Sequence, residues 1–209
     1  MPTFVDAGAN FNADEITEDN LISQLSSHDK KVVFAGDDTW DNLYPGKFHR
    51  SYFYPSLDVA DLDTVDFGVY EKVPLEMKKS DWSLLIGHML GVDHCGHTFG
   101  PMTHHIHDKL SEIDSFIADV VSRCDEDTLI LAFGDHGMTR TGDHGGDSHD
   151  ETDAALFAYS PKVQSREKIN KFKKIFNRTL VKIIILPDPK LFTRDFSSHE
   201  MSLLSIKST

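Results

Sequence analysis

A chain of 209 residues with 39% apolar and 26% charged residues can bury a real core and is too hydrophobic to be wholly disordered. Its net charge of −13 is unevenly divided: residues 1–160 hold 10 Lys and Arg against 30 Asp and Glu, and residues 161–209 hold 11 against 4. The acidic body excludes nucleic acid as a partner, because no basic stripe is there to neutralise phosphates, and it suits a protein that gathers cations.

Residues 1–13 are polar and rich in Gly and Asn, and are expected as loop. Ile16, Leu21, Ile22 and Leu25 fall at near-helical spacing and predict an amphipathic helix from Asp14 to about Ser27. Lys31-Val-Val-Phe-Ala35 reads as a short buried strand closed by Gly36-Asp37-Asp38. The aromatic segment from Trp40 to Pro55, broken by Pro45 and Gly46, reads as an irregular packed loop, and the acids of Asp58–Asp66 show no clear period. After Trp82 comes a strand-like run that pours into Gly91-Val-Asp-His-Cys-Gly-His97. Beyond Pro101, Ile106, Leu110, Ile113, Ile117, Val120, Val121 and Cys124 recur at three and four residues, which predicts a long amphipathic helix. A second strand, Thr128–Phe133, leads into a Gly-rich loop over 134–147, and a third follows at Ala154–Tyr159. Strands alternating with helices predict an α/β fold whose parallel or mixed sheet is covered on both faces, with functional groups gathered at the carboxyl ends of the strands.

The pattern stops after Pro161, so residues 1–160 are expected as one domain and 161–209 as a divergent basic tail. The tail carries a basic run at Lys168–Lys174, a strand-like run at Val181–Leu186 and a glycosylation sequon at Asn177–Thr179. Two cysteines form no disulfide framework, no run approaches 18 apolar residues, and the N-terminus lacks the regions of a signal peptide. The chain alone is expected to be soluble and untargeted.

The chemistry concentrates in three clusters. Asp93-His94-Cys95-Gly96-His97 offers four candidate ligands in five positions, and Asp93 and His97 share a side if one helical turn or a tight loop carries them. Gly96 is expected to let that backbone bend. Gly134-Asp135-His136-Gly137 places adjacent ligands where the strand has already ended, and Gly142-Asp143-His144-Gly145-Gly146 sets a third histidine between small residues. The Asp93–His97 cluster alone favours a ligand role over an incidental polar loop, whereas an Asp-His-Gly tripeptide alone is weak; jointly, at strand ends in an acidic chain, the three point to metal. Mixed Asp and His ligands spread over distant loops favour a catalytic zinc or manganese site over a structural one, and five candidates fit two ions. Cys95 reads as a packed small residue, and His104, His105 and His107 as solvated.

The runs Gly-Val-Asp-His-Cys-Gly-His, Gly-Asp-His-Gly-Met-Thr and Gly-Asp-His-Gly-Gly-Asp-Ser resemble the alkaline-phosphatase superfamily and, more narrowly, the GPI ethanolamine-phosphate transferases. Phe4–Phe11, Val33–Trp40 and Asp61–Asp66 are also similar to that family, so the likeness covers about residues 2–160. It implies an α/β sandwich with a mostly parallel central sheet and a two-zinc site. Asp93, His97 and His144 match the ligands of one metal, and Asp135 and His136 match two ligands of the other. Asn10 resembles an asparagine that hydrogen-bonds the transferring phosphoryl group.

The resemblance implies a ping-pong transfer of phosphoethanolamine from phosphatidylethanolamine to a mannose of the GPI glycan. It places that reaction on the luminal face of the endoplasmic reticulum membrane, held by spans absent from this chain, with a small membrane subunit as partner. The family's remaining two groups, an aspartate ending a first strand and a threonine nucleophile, have no match here. Both are expected upstream of Met1, which makes the expected fold incomplete and the fragment alone inactive. The alternatives are a non-catalytic product and a soluble metallo-phosphodiesterase.

Overall fold

The computed structural model describes residues 14–161 and 182–186; Asn10, the sequon and the remainder of the basic tail lie outside the described residues. In chain order the strands are β1 (Val32–Asp37), β2 (Arg50–Tyr54), β3 (Leu84–His88), β4 (Leu129–Phe133), β5 (Leu156–Tyr159) and β6 (Lys182–Leu186). The helices are α1 (Leu21–Ser27), α2 (Thr39–Leu43), α3 (Thr64–Met77), α4 (Gly91–Phe99), α5 (His104–Ser122) and the single turn α6 (His149–Thr152). The strands join in one sheet of order β2-β1-β3-β6-β4-β5. β1 is parallel to β2 and β3, whereas β6 is antiparallel to both β3 and β4, and β5 is antiparallel to β4. β1, β2, β3 and β4 therefore share one direction, and the fold is α/β as expected. Among the described residues no helix is long and apolar enough to cross a membrane.

Why these strands are central follows from their composition. β1 and β3 are buried at every position, as near-continuous apolar runs must be when helices cover both faces of a parallel sheet. On one face Val33, Ala35, Leu85, Ile130, Ala132 and Ile185 meet Val69 and Val73 of α3 and Ile106, Ile113, Ile117 and Val120 of α5. On the other, Val32, Phe34, Leu84 and Ile86 meet Ile22 and Leu25 of α1. The rings of Trp40 and Phe48 complete that second face, stacking on Phe34 with centroids 4.7 and 5.1 Å away.

Four stretches differ from the sequence expectation. α1 starts at Leu21, because the Asn20 carboxamide oxygen accepts the Ser23 amide at 2.9 Å and so fixes the first turn there. The aromatic segment is not irregular: it forms α2 and then β2, with Tyr52 and Phe53 packed against the two cores. α3 was hidden by an inverted pattern, with Asp66 and Glu76 buried while Phe67 and Leu75 are 57% and 46% exposed. The run Gly91–Phe99 forms a helix, and Gly96 lies within it without bending the backbone; a Cβ there would stand 2.2 Å from the Met138 sulfur. The strand-like run Val181–Leu186 forms β6, inserted between β3 and β4.

Glu76 is the principal polar anchor of α3. Its carboxylate accepts from the Arg50 Nη2 at 2.7 Å, the Tyr52 hydroxyl at 2.6 Å and Lys79 at 2.7 Å, and the Trp82 ring N–H donates to its backbone carbonyl at 2.8 Å. Burial works against the charge of Glu76, but hydrogen bonds from Arg50, Lys79 and Tyr52 outweigh it and hold its carboxyl below the ordinary range. A depressed folded-state pKa gives stability that is present above the ordinary glutamate value, about 4.3, and is lost as pH falls below it. Urea midpoints measured from pH 6 to pH 3 should therefore fall less steeply for Glu76→Gln than for the wild type. Ile185, 1% exposed and packed into the core from β6, should cost about 2–5 kcal/mol when replaced by Ala, read from urea unfolding at neutral pH.

Candidate metal centre

Both Asp/His loops leave the sheet at the same end because β3 and β4 run in the same direction. α4 begins three residues after β3, and its 3.6-residue period stacks Asp93 above His97 on one face. The loop after β4 then folds back over α4. Gly142 makes that approach possible: its φ is +85°, and a Cβ at this position would lie 2.4 Å from the Gly96 carbonyl oxygen. Two residues later the chain delivers His144.

The result is a compact group. His144 Nε2 lies 3.1 Å from Asp93 Oδ1, His97 Nε2 lies 3.4 Å from Asp93 Oδ2, and the two imidazole nitrogens are 3.0 Å apart. The His136 ring stacks on His144 with centroids 3.9 Å apart. One ligand atom each from Asp93, His136 and His144 lies within 4.8 Å of the others, so these three could hold a metal ion. Asp135 follows at the rim, its Oδ1 3.9 Å from His136 Nε2. The two sets of ligands expected from sequence thus meet at His144, which touches members of both.

The Asp93 carboxylate is held ready for a cation, whereas His97 must give up a proton to become a ligand. Asp93 is nearly buried, which disfavours its charge, yet hydrogen bonding from His144 and His97 outweighs burial and holds the carboxyl well below its usual range. His97 is shifted the other way, chiefly by the Asp93 carboxylate. His136 Nδ1–H donates to its neighbour's carbonyl, that of Gly137, at 2.8 Å, which leaves the Nε2 lone pair as its available ligand.

Other candidates are drawn elsewhere. Cys95 is fully buried among core side chains, and burial pushes its thiol up. His94 is buried with Nδ1–H donating to the Asp61 carbonyl at 2.8 Å. His104 and His107 are exposed on α5, and the half-buried His105 stacks on Phe99. The sequence reading missed a buried pair at the same end of the sheet, the Asp37 carboxylate against His88 Nδ1 at the ends of β1 and β3. In sequence, Gly36-Asp37-Asp38 reads only as the close of a strand; a histidine ending the next buried run is the available signal.

Comparison with known proteins adds a family to this geometry. The type I phosphodiesterase / nucleotide pyrophosphatase family matches over residues 8–173. Human GPI ethanolamine phosphate transferase 3, catalytic subunit, is 54% identical over 161 residues, which cover 77% of this chain and 15% of that protein. The Saccharomyces cerevisiae GPI ethanolamine phosphate transferase 3 is 47% identical over 164 residues, covering 78% of this chain and 16% of its own length. GPI ethanolamine phosphate transferase 2 of Kluyveromyces lactis is 40% identical over 170 residues, or 78% of this chain and 22% of that one. The chain therefore spans only about a sixth of the length of the transferase 3 relatives.

A zinc ion at a hundredfold excess over its dissociation constant should stabilise the wild type by about 2.7 kcal/mol and raise its thermal midpoint. His144→Ala, which removes the side chain common to both halves of the group, should abolish most of that rise, and His104→Ala should leave it intact.

Proposed function

The chain belongs to the type I phosphodiesterase / nucleotide pyrophosphatase family, and we propose that it carries the metal-binding core of a GPI ethanolamine-phosphate transferase. In this reading phosphoethanolamine passes from phosphatidylethanolamine to a mannose of the GPI glycan at the luminal face of the endoplasmic reticulum membrane. The observation that carries it is the convergence of Asp93, His97, His136 and His144 from two strand ends, in a sequence about half identical to proteins named for that transfer.

The donor set fits zinc, which takes imidazole nitrogen and carboxylate oxygen in mixed shells. Asp93, His97 and His144 would hold one ion, and Asp135 and His136 would contribute to a second. When bound, such ions supply positive charge for phosphoryl oxygens and lower the proton affinity of an attacking hydroxyl. The protein's own part is to keep Asp93 anionic beneath two imidazoles and to offer the His136 Nε2 lone pair. Asn10 would bind the transferring phosphoryl group.

The test is a chimera in which residues 14–161 replace the corresponding segment of the human transferase 3 subunit, expressed in cells lacking that subunit. Transfer of labelled phosphoethanolamine to a mannosylated GPI acceptor should be restored. Asp93→Ala or His144→Ala in the chimera should lower it by about a hundredfold or more, and unchanged transfer in both variants would overturn the reading. Hydrolysis of a nucleotide phosphodiester without transfer would favour a family phosphodiesterase instead.

A further inference from the structure

α4 is nine residues long, too short to hold its conformation or direction without outside support. Yet it carries both Asp93 and His97, and a metal site demands that ligand atoms stay within a few tenths of an ångström of their places. Something must therefore fix the first turn of α4. Asp66, on the first turn of α3, is fully buried, and one of its carboxylate oxygens accepts the amides of both Leu90 and Gly91, at 2.8 and 2.9 Å. These are amides at the helix start, which have no acceptor within the helix itself and present the positive end of its dipole. Asp66 thus caps α4 from another helix, two residues ahead of Asp93.

Two further features mark this contact as built. The second oxygen of Asp66 lies 4.0 Å from the ammonium of Lys109, itself buried on α5 and shared with Asp63 and Glu112. Residue 91 is glycine where any side chain would intrude: a Cβ there would stand 2.5 Å from Asp66 Oδ2 and 2.4 Å from the Leu62 carbonyl. The same segment grips the next part of α4 through the Asp61 carbonyl, which accepts from His94.

We propose that Asp66 is a positioning residue for the metal centre, setting the place of Asp93 and His97 by capping the helix that bears them. The proposal rests on the reading of the centre given above. Asp66 touches neither ion nor substrate; it acts through the backbone of Leu90 and Gly91.

The test uses the full 209-residue chain with zinc alone as probe, together with amide hydrogen exchange of residues 90–97 in the metal-free protein. Asp66→Ala should weaken zinc binding by about tenfold or more, in the range seen for groups that orient metal ligands, and should speed exchange in α4 by a similar factor. Asp66→Asn retains an acceptor oxygen and should stay within about threefold of wild type in both measurements. Leu25→Ala, a core truncation on the opposite face of the sheet, should leave both unchanged. If Asp66→Ala does not fold, Gly91→Ala is read in the same way, since it pushes on the cap from the helix side. Unaltered exchange or unaltered zinc affinity in the variant would overturn the proposal, as would an equal loss in Leu25→Ala. A wild type that binds no zinc would overturn the reading of the centre and the proposal with it, whereas a zinc-binding wild type with unaffected variants overturns the proposal alone.

Discussion

The carboxylate of Asp93 joins the two halves of this molecule's chemistry. It faces His97 from its own helix and His144 from a loop that starts on the other side of β6. Without a carboxylate there, two imidazoles 3.0 Å apart would have no charge to share between them. With it, the loop after β4 has a reason to close over α4, and the glycine at 142 removes the steric objection. The architecture beneath serves that closure. β3 and β4 must point the same way, the helix after β3 must start at once, and the loop after β4 must be long enough to return.

How much of this could be read from the chain depends on whether local composition agreed with burial. β1, β3 and β4 are short apolar runs bounded by polar and glycine residues, legible by length and composition, whereas the 19-residue α5 keeps its hydrophobic stripe inward and is legible by its period. The three Asp/His clusters were legible for a different reason: their residues are unusual at strand ends whatever the fold. α3 was not legible because its burial is inverted. Asp66 and Glu76 point inward to cap a helix and to meet Arg50, Phe67 and Leu75 point outward, and Pro74 lies inside. Tertiary pairing, invisible to any window of sequence, makes those carboxylates acceptable inside. β2 was obscured by the aromatic residues in and beside it, Phe53 and Phe48, whose rings pack on Phe34 on the same face of the sheet.

Within the Asp93–His97 stretch, the motif identified which residue types were present but not which of them face one another. Helical geometry divides it: Asp93 and His97 share one side, while His94 and Cys95 turn inward toward the Asp61 carbonyl and the core. A loop reading could not make that division, since only a regular 3.6-residue period separates neighbours so cleanly. The same period explains why a glycine at 96 matters as a space rather than as a hinge, with the Met138 sulfur filling it.

The insertion of β6 between β3 and β4 has a metric consequence. A sheet is a ruler graduated in steps of about 4.8 Å, so one intervening strand sets the two loop origins about 10 Å apart. That span is wide enough for carboxylate and imidazole arms to extend from both banks and meet midway, and narrow enough that they do meet. Direct pairing of β3 with β4 would crowd the arms together, and a second intervening strand would part them by about 15 Å. The dimension of the centre is thus governed by how many strands stand between its banks, and the direction in which the middle one runs leaves that dimension unchanged.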